Sequence, residues 1–262
     1  MTPLAIDAWV DALQARQRGN LTNAEFLKAV RALSARYVER RAELPARSPI
    51  DSAGKRAAFA AFYAPLHFVV AREIVRAETR DLKVPGSISK VPGSIIDLGC
   101  GTGVASAALA LEQDRPPDII GVDANSWALT EASWNWRQLG LTGRTERGDM
   151  VNAIEQLLRR RRELAGATIV AAWSVNELAG PARERLLPVL LDCASQGAGV
   201  LVIEPLAGAA TPWWSAWEKA FTGADGRTST WTFAPDLPGA LSVISEAAGF
   251  RRDRLTARTL TI

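Results

Sequence analysis

The chain has 262 residues, 48% of them apolar and 23% charged, with a net charge of +3. That composition excludes a disordered, fibrous or polyelectrolyte protein and suits one α/β domain with an added element. Two cysteines without CxxC spacing and a single histidine, His67, argue against a conventional metal site.

The first 90 residues carry fifteen Lys/Arg against nine Asp/Glu, while the remainder carries sixteen against nineteen. A basic appendage on a mildly acidic domain could steer a polyanion, or its arginines could simply be the solvated faces of helices. Asp7, Asp11 and Glu25 interrupt any leader-like pattern near the start. No apolar run approaches the ~18 residues of a membrane span. The expected location is the cytoplasm, with no membrane partner.

Ile6, Trp9, Val10 and Leu13 fall on one helical face. Thr22-Asn23-Ala24-Glu25 reads as a capping box, followed by Phe26, Leu27, Val30, Leu33 and Tyr37 at helical spacing. That helix is expected to end before Pro45. An alanine-rich helix starts at Asp51 or Ser52 and runs into Phe62-Tyr63-Ala64-Pro65-Leu66-His67-Phe68, where Pro65 must kink or divide it. A further helix is expected to about Leu82. Val-Pro-Gly-Ser then occurs twice, at 84–87 and 91–94, and reads as a linker loop. The expected organisation is a helical appendage or lid over 1–82, a linker over 83–94 and a core domain over 95–262.

Beyond the linker, short apolar runs alternate with helical patterns. Ile95–Leu98, Asp118–Asp123, Thr145–Gly148, Ala167–Trp173 and Gly199–Ile203 read as strands. Val104–Leu111, Ser126–Leu139 and Val151–Leu164 read as helices, the last carrying the basic run Arg159–Arg162. The C-terminal part adds helices over Trp213–Phe221 and Leu237–Ala248 and strands over Thr228–Phe233 and Arg252–Ile262. Strand–helix alternation implies a Rossmann-like, doubly wound and mostly parallel sheet, with helices on both faces.

The chemistry concentrates in Asp97-Leu98-Gly99-Cys100-Gly101-Thr102-Gly103, between a strand and a helix. Glycines let the chain turn sharply and let a ligand approach the backbone, and the helix behind offers free N–H groups. A dinucleotide fingerprint would be G-x-G-x-x-G, but here Val104 takes its last position and the third glycine comes one residue early. Asp97 would disfavour a pyrophosphate and suits an ammonium. Asp123, with Ala124 after it, ends the second strand, where a carboxylate can accept ribose hydroxyls. Gly148-Asp149-Met150 follows the third, where an acidic side chain can meet an adenine amino group.

In these pieces (DLGCGTG, GVDAN and GDM, in order) the sequence resembles the class I methyltransferases that use S-adenosylmethionine (SAM), over about residues 95–205. The resemblance implies SAM as cofactor, held by Asp97, Gly99, Cys100, Gly101, Gly103, Asp123, Ala124, Asp149, Met150 and Ser174. Three further segments narrow it: Phe62-Tyr63-Ala64-Pro65, Trp173-Ser174-Val175-Asn176-Glu177-Leu178 and Val202-Ile203-Glu204-Pro205. Together these are similar to the ribosomal small-subunit methyltransferase-like family, which implies an RNA substrate. Members of that family carry clustered cysteines for an iron–sulfur cluster, which Cys100 and Cys193 do not supply.

Methyl transfer from a sulfonium is an in-line displacement that needs alignment, exclusion of water and, for some nucleophiles, a base. The strand ends in such a sheet face the ligand crevice, so Asn176, Glu177 and Glu204 are the candidate catalytic groups there. Tyr63 and His67 are expected to join them if the appendage forms a lid. The tryptophans, among them Trp173, Trp213, Trp214 and Trp217, either stack on a planar substrate or pack against the sheet. Three functions fit: methylation of ribosomal or other structured RNA, methylation of a small planar metabolite, and SAM binding by a ribosome-assembly factor with little catalysis.

Overall fold

A computed structural model describes residues 3–19, 21–39, 50–80, 93–160, 164–206, 211–250 and 254–262. Among them the helices are α1 (Pro3–Arg18), α2 (Asn23–Glu39), α3 (Ala53–Ala58), α4 (Ala64–Arg80), α5 (Val104–Leu111), α6 (Ser126–Gln138), α7 (Met150–Leu158), α8 (Gly180–Ser195), α9 (Trp214–Gly223) and α10 (Gly239–Ala247). The strands are β1 (Ser94–Leu98), β2 (Asp118–Asp123), β3 (Gly143–Arg147), β4 (Thr168–Ala172), β5 (Gly199–Glu204), β6 (Arg227–Phe233) and β7 (Leu255–Thr261). The chain separates into two units, Met1–Val69 with Phe233–Leu255, and Val70–Thr232 with Thr256–Ile262. The first boundary falls inside α4, and α10 groups with the N-terminal helices although sequence order places it after the sheet.

In the N-terminal unit the anticipated capping box forms. The Thr22 hydroxyl accepts from the Glu25 amide at 3.3 Å, and the Glu25 carboxylate accepts from the Thr22 amide at 2.8 Å. Trp9, Val10 and Leu13 of α1 and Phe26, Val30 and Leu33 of α2 are buried, as their spacing predicts. Pro65 perturbs the helix through the residues before it. Phe59–Tyr63 form a π-helical turn in which the Ala64 amide bonds to the Phe59 carbonyl. Proline has no N–H to give, and the wider turn absorbs that defect without ending the helix. The continuous helical run Ala53–Glu78 is long and apolar enough to cross a membrane by length and composition, contrary to the reading by composition of short runs, and 83% of its most apolar window is buried in the protein.

The second unit is built on a seven-stranded sheet in the order β3-β2-β1-β4-β5-β7-β6. The β3-β2-β1-β4-β5 ladders are parallel, and β7 runs antiparallel to β5 with Glu204 opposite Arg258. This is a Rossmann-like, mostly parallel arrangement, as the strand–helix alternation predicts. Alternate residues of each strand face opposite layers. Ile96, Leu98, Ile169, Ala171, Val200 and Val202 pack with α7, α8 and α9 in one core, where Trp214, Trp217 and Phe221 are buried. Trp217 and Phe221 stack at 6.3 Å, so this tryptophan face of α9 is core. Near-continuous apolar strands are what a sheet covered on both faces requires.

Strand β3 begins at Gly143, two residues earlier than its pattern predicts, because Gly143 pairs with Ile119. It forms the outer edge of the sheet, with Arg144, Glu146 and Arg147 exposed. The Val-Pro-Gly-Ser repeat up to residue 92, Pro45 and the last two arginines of the run 159–162 lie outside the described residues.

Candidate active site

β1 runs out at Leu98, and the chain turns through Gly99, Gly101 and Gly103 at φ of 67°, 52° and 72°. Only glycine adopts this left-handed backbone without cost. Close packing adds a second constraint at Gly99, where a Cβ would lie 2.6 Å from that of Ser174. Gly103 caps α5, whose first amides open toward the loop.

Helix α6 buttresses this loop from behind. The Trp136 indole donates to the Gly103 carbonyl at 2.8 Å, and the Asn135 amide donates to the Thr102 carbonyl at 2.9 Å. Both side chains are buried. Gly103, Gly121 and Gly143 each lie where a Cβ would meet the Trp136 ring within 2.7 Å. One indole thus fills a slot made by three glycines from three elements. Neither Asn135 nor Trp136 stands out in the sequence of the helix that carries them. The recurrence of glycine at the loop, mid-β2 and the start of β3 was the available signal.

Two carboxylates flank the loop. Asp97 is 1% exposed, and its Oδ2 accepts from the Ser106 amide at 3.3 Å. Burial pushes it up to about 6, opposed by the bonds from Ser106. Asp123 is half-buried at the end of β2. Its Oδ2 accepts from the Gly101 amide at 2.9 Å and its Oδ1 from the Asn125 amide at 2.8 Å. Burial raises it, and those backbone bonds pull the other way. Asn125 caps α6 by accepting from the amides of Trp127 and Ala128. An ionised carboxylate has about four lone-pair sites. With the Ala124 amide also acting on it, Asp123 keeps lone-pair capacity for a further donor.

The remaining residues expected at a cofactor lie around the same edge. Ala124 is exposed directly after Asp123. Asp149 is exposed and caps α7, accepting from Asn152 at 2.9 Å. Met150 is buried, its sulfur 3.2 Å from where a Gly99 Cβ would stand. The Ser174 hydroxyl donates to the Leu98 carbonyl at 2.8 Å, tying the end of β4 to the end of β1. Cys100 is buried, and burial with the charges of Asp97 and Asp123 drives its thiol far above the ordinary range, which favours the neutral thiol.

Beyond β4 the backbone is strained. Trp173 has φ of 56°, an uncommon state for a bulky residue, and its amide bonds to the Ile203 carbonyl at 2.7 Å. The short 3-10 turn Val175–Glu177 follows. Glu204, fully buried at the end of β5, accepts from the Asn176 amide at 3.0 Å with one oxygen and from the Asn176 side-chain amide with the other. Arg183 of α8 donates to the carbonyls of Val175 and Leu178 and lies 5.2 Å from the Trp213 ring. Arg258 stacks at 4.1 Å on Trp214, and both arginines feel the charge of Glu204. Glu177 is partly exposed, yet its surroundings desolvate it. Burial first, then the like charges of Asp123 and Glu204, push it up to about 8.

Asn176, Glu177 and Glu204 are therefore brought together at one strand edge. Tyr63 and His67 belong to the N-terminal unit. There the Tyr63 hydroxyl donates to the Val30 carbonyl at 3.1 Å, and His67 meets Phe59 edge-on at 6.3 Å. Among the described residues no group of His, Cys, Asp and Glu is arranged to hold a metal ion.

Residues 90–160 match the family described as a methyltransferase domain. An uncharacterized methyltransferase of Emericella nidulans is 33% identical over 82 residues, which span 30% of this chain and 29% of that protein. The chain thus aligns with under a third of that relative's length. A SAM-dependent methyltransferase of Agrobacterium tumefaciens has 16% identity and a TM-score of 0.46, covering 75% of this chain and 60% of that one. A precorrin-6y C5,15-methyltransferase of Geobacter metallireducens has 10% identity and a TM-score of 0.46 over 72% and 85%. A ribosomal protein L11 methylase of Lactobacillus delbrueckii subsp. bulgaricus has 12% identity and a TM-score of 0.40 over 75% and 76%.

Proposed function

We propose, on the match of residues 90–160 to a methyltransferase domain, that this protein binds SAM at the carboxyl edge of β1, β2 and β4 and transfers its methyl group to an acceptor beside the Val175–Glu177 turn. The observation that carries this reading is Asp123, a half-buried carboxylate with spare lone pairs next to a glycine loop already bent to admit a ligand. Asp123 would hold the ribose hydroxyls. The loop amides and the start of α5 would face the methionine carboxylate, and Asp97 would hold the loop against α5 and favour a nearby ammonium. Met150, with Asp149 before it, would border the adenine. When bound, SAM supplies an electrophilic methyl carbon on a sulfonium. The protein supplies alignment and a strand edge that limits water.

We further propose RNA as the acceptor class. In support, the first 90 residues are net basic, and Arg144 and Arg147 of β3 and Arg159 and Arg160 just after α7 are exposed. Retention of structured RNA on a filter should fall steeply between 50 and 200 mM salt, as counterion release demands for several phosphate contacts. Absence of RNA retention at low salt would exclude this acceptor. The small planar metabolite is the second reading, favoured by Trp213, which pairs with Trp217 at 4.9 Å beside Arg183 near the same turn. Calorimetry with SAM, and with Asp123→Ala as control, tests the cofactor half independently of the acceptor.

A further inference from the structure

We propose that Glu177 is the proton acceptor of the methyl-transfer site, held in place by Asn176 and Glu204, and that the substrate is therefore an acceptor bearing N–H or O–H. The proposal rests on the SAM-binding reading above and adds the chemistry of the acceptor.

It follows from what each polar group at this edge already does. The Ser174 hydroxyl is committed to the Leu98 carbonyl. The Asn176 amide and side chain are both committed to Glu204. Each Glu204 oxygen accepts one of those bonds, and its charge is balanced by Arg183 and by Arg258, its partner in the β5–β7 register. Arg183 is committed to the carbonyls on either side of Glu177, those of Val175 and Leu178. Among the described residues, the Glu177 side chain has no hydrogen bond or ion pair. A desolvated carboxyl next to like charges from β2 and β5 costs free energy, and folding keeps it there. Once ionised, such a group is a stronger base than an ordinary carboxylate and takes a proton readily.

The clamp explains how it is aimed. The Val175–Glu177 turn is three residues long, and the bonds from Asn176 to Glu204 fix its middle. Glu204 is thus a positioning residue, not one that meets the substrate. In the step, the acceptor's lone pair forms the new bond to the methyl carbon, and its proton passes to the Glu177 carboxylate. The electron pair of the broken carbon–sulfur bond stays on sulfur, which leaves as a neutral thioether. An acceptor without a proton, such as a tertiary amine or thioether, would need no such group.

The test uses the full chain labelled with 13C at glutamate δ-carboxyls, with S-adenosylhomocysteine as the binding probe. One glutamate signal should titrate well above the ordinary range, vanish in Glu177→Gln and move toward ordinary values in Glu204→Gln. Both variants should bind S-adenosylhomocysteine within about twofold of the parent. With methyl-labelled SAM and total RNA, or a panel of phenols and amines, Glu177→Gln should lose about 10²-fold or more of transfer. The Glu204→Gln pH profile should shift with its carboxyl signal. A parent chain that fails to bind S-adenosylhomocysteine overturns the cofactor reading and this proposal together. Retained binding with every glutamate in the ordinary range, or Glu177→Gln transferring label at the parent rate, overturns this proposal alone. If no acceptor in either set is labelled, the titration decides.

Discussion

The indole Nε1 of Trp136 donates to the carbonyl of Gly103, and a Cβ on that same glycine would stand 2.6 Å from the donor nitrogen. One contact therefore fixes both the loop's backbone direction and its lack of a side chain. Gly103→Ala must distort a residue at φ of 72° and displace the ring. It should cost about 1–3 kcal/mol of stability, the range for a strained backbone position, read by urea denaturation. Trp136→Phe keeps most of the packing and loses the indole's hydrogen bond, while the Gly103 carbonyl keeps those from the Ala107 amide and the Ser106 hydroxyl. About 0.5–1.5 kcal/mol is expected there, the range for one hydrogen bond lost without an orphaned partner.

Asp123→Ala should weaken SAM binding by about 1.5–3 kcal/mol, the range for hydrogen bonds to a charged group. Calorimetry checks this, with a thermal melt to confirm folding. Asp123 also holds the Gly101 and Asn125 amides, so Asp123→Asn should lose less affinity than the alanine variant. Equal affinity in parent and Asp123→Ala would remove Asp123 from the ribose site.

Asn125→Ala removes the cap that accepts from Trp127 and Ala128 at the start of α6. The expected cost is about 0.5–2 kcal/mol. Because α6 carries Asn135 and Trp136 to the loop, SAM affinity should drop with stability. A stability loss with unchanged affinity would show that the first turn of α6 frays without disturbing the loop.

Glu177 gives a pH prediction whose sign is fixed by its direction of shift. Its folded value, about 8, lies above the ordinary 4.5. The native state thus holds a proton that the unfolded chain releases earlier. This contribution to stability is fully present below about pH 4.5 and is lost as pH rises through about 8. Glu177→Gln, always neutral, should match the parent in acid and melt several degrees higher at pH 9. Parallel Tm-against-pH curves for the two proteins would contradict the raised value.

The sheet and the glycine loop were legible because their signals are local. Glycines at fixed offsets after a short apolar run, then an acid at the end of the next, announce themselves within about 30 residues. The capping box at Thr22 and Glu25 is local in the same way. What escaped is tertiary. Asn176 and Glu204 are 28 positions apart, and nothing in either segment says that one consumes the other's hydrogen-bonding capacity. Trp136 looked like any packed tryptophan until three glycines from separate elements surrounded it. The periodicity of residues 237–248 predicts a helix but not its grouping with α1 and α2.

The outer strand β3 has a further consequence. A sheet's last strand offers its unpaired amides and carbonyls to any other chain, and flat apolar edges seed aggregation. Here Arg144, Glu146 and Arg147 stand exposed along five residues. A second copy pairing there would have to bury or oppose those charges. The edge is thus short and guarded against such pairing. Replacing Arg144 and Glu146 by valine would raise β propensity and remove the guard. Such a chain should scatter light at concentrations where the parent stays clear, with its cofactor loop untouched.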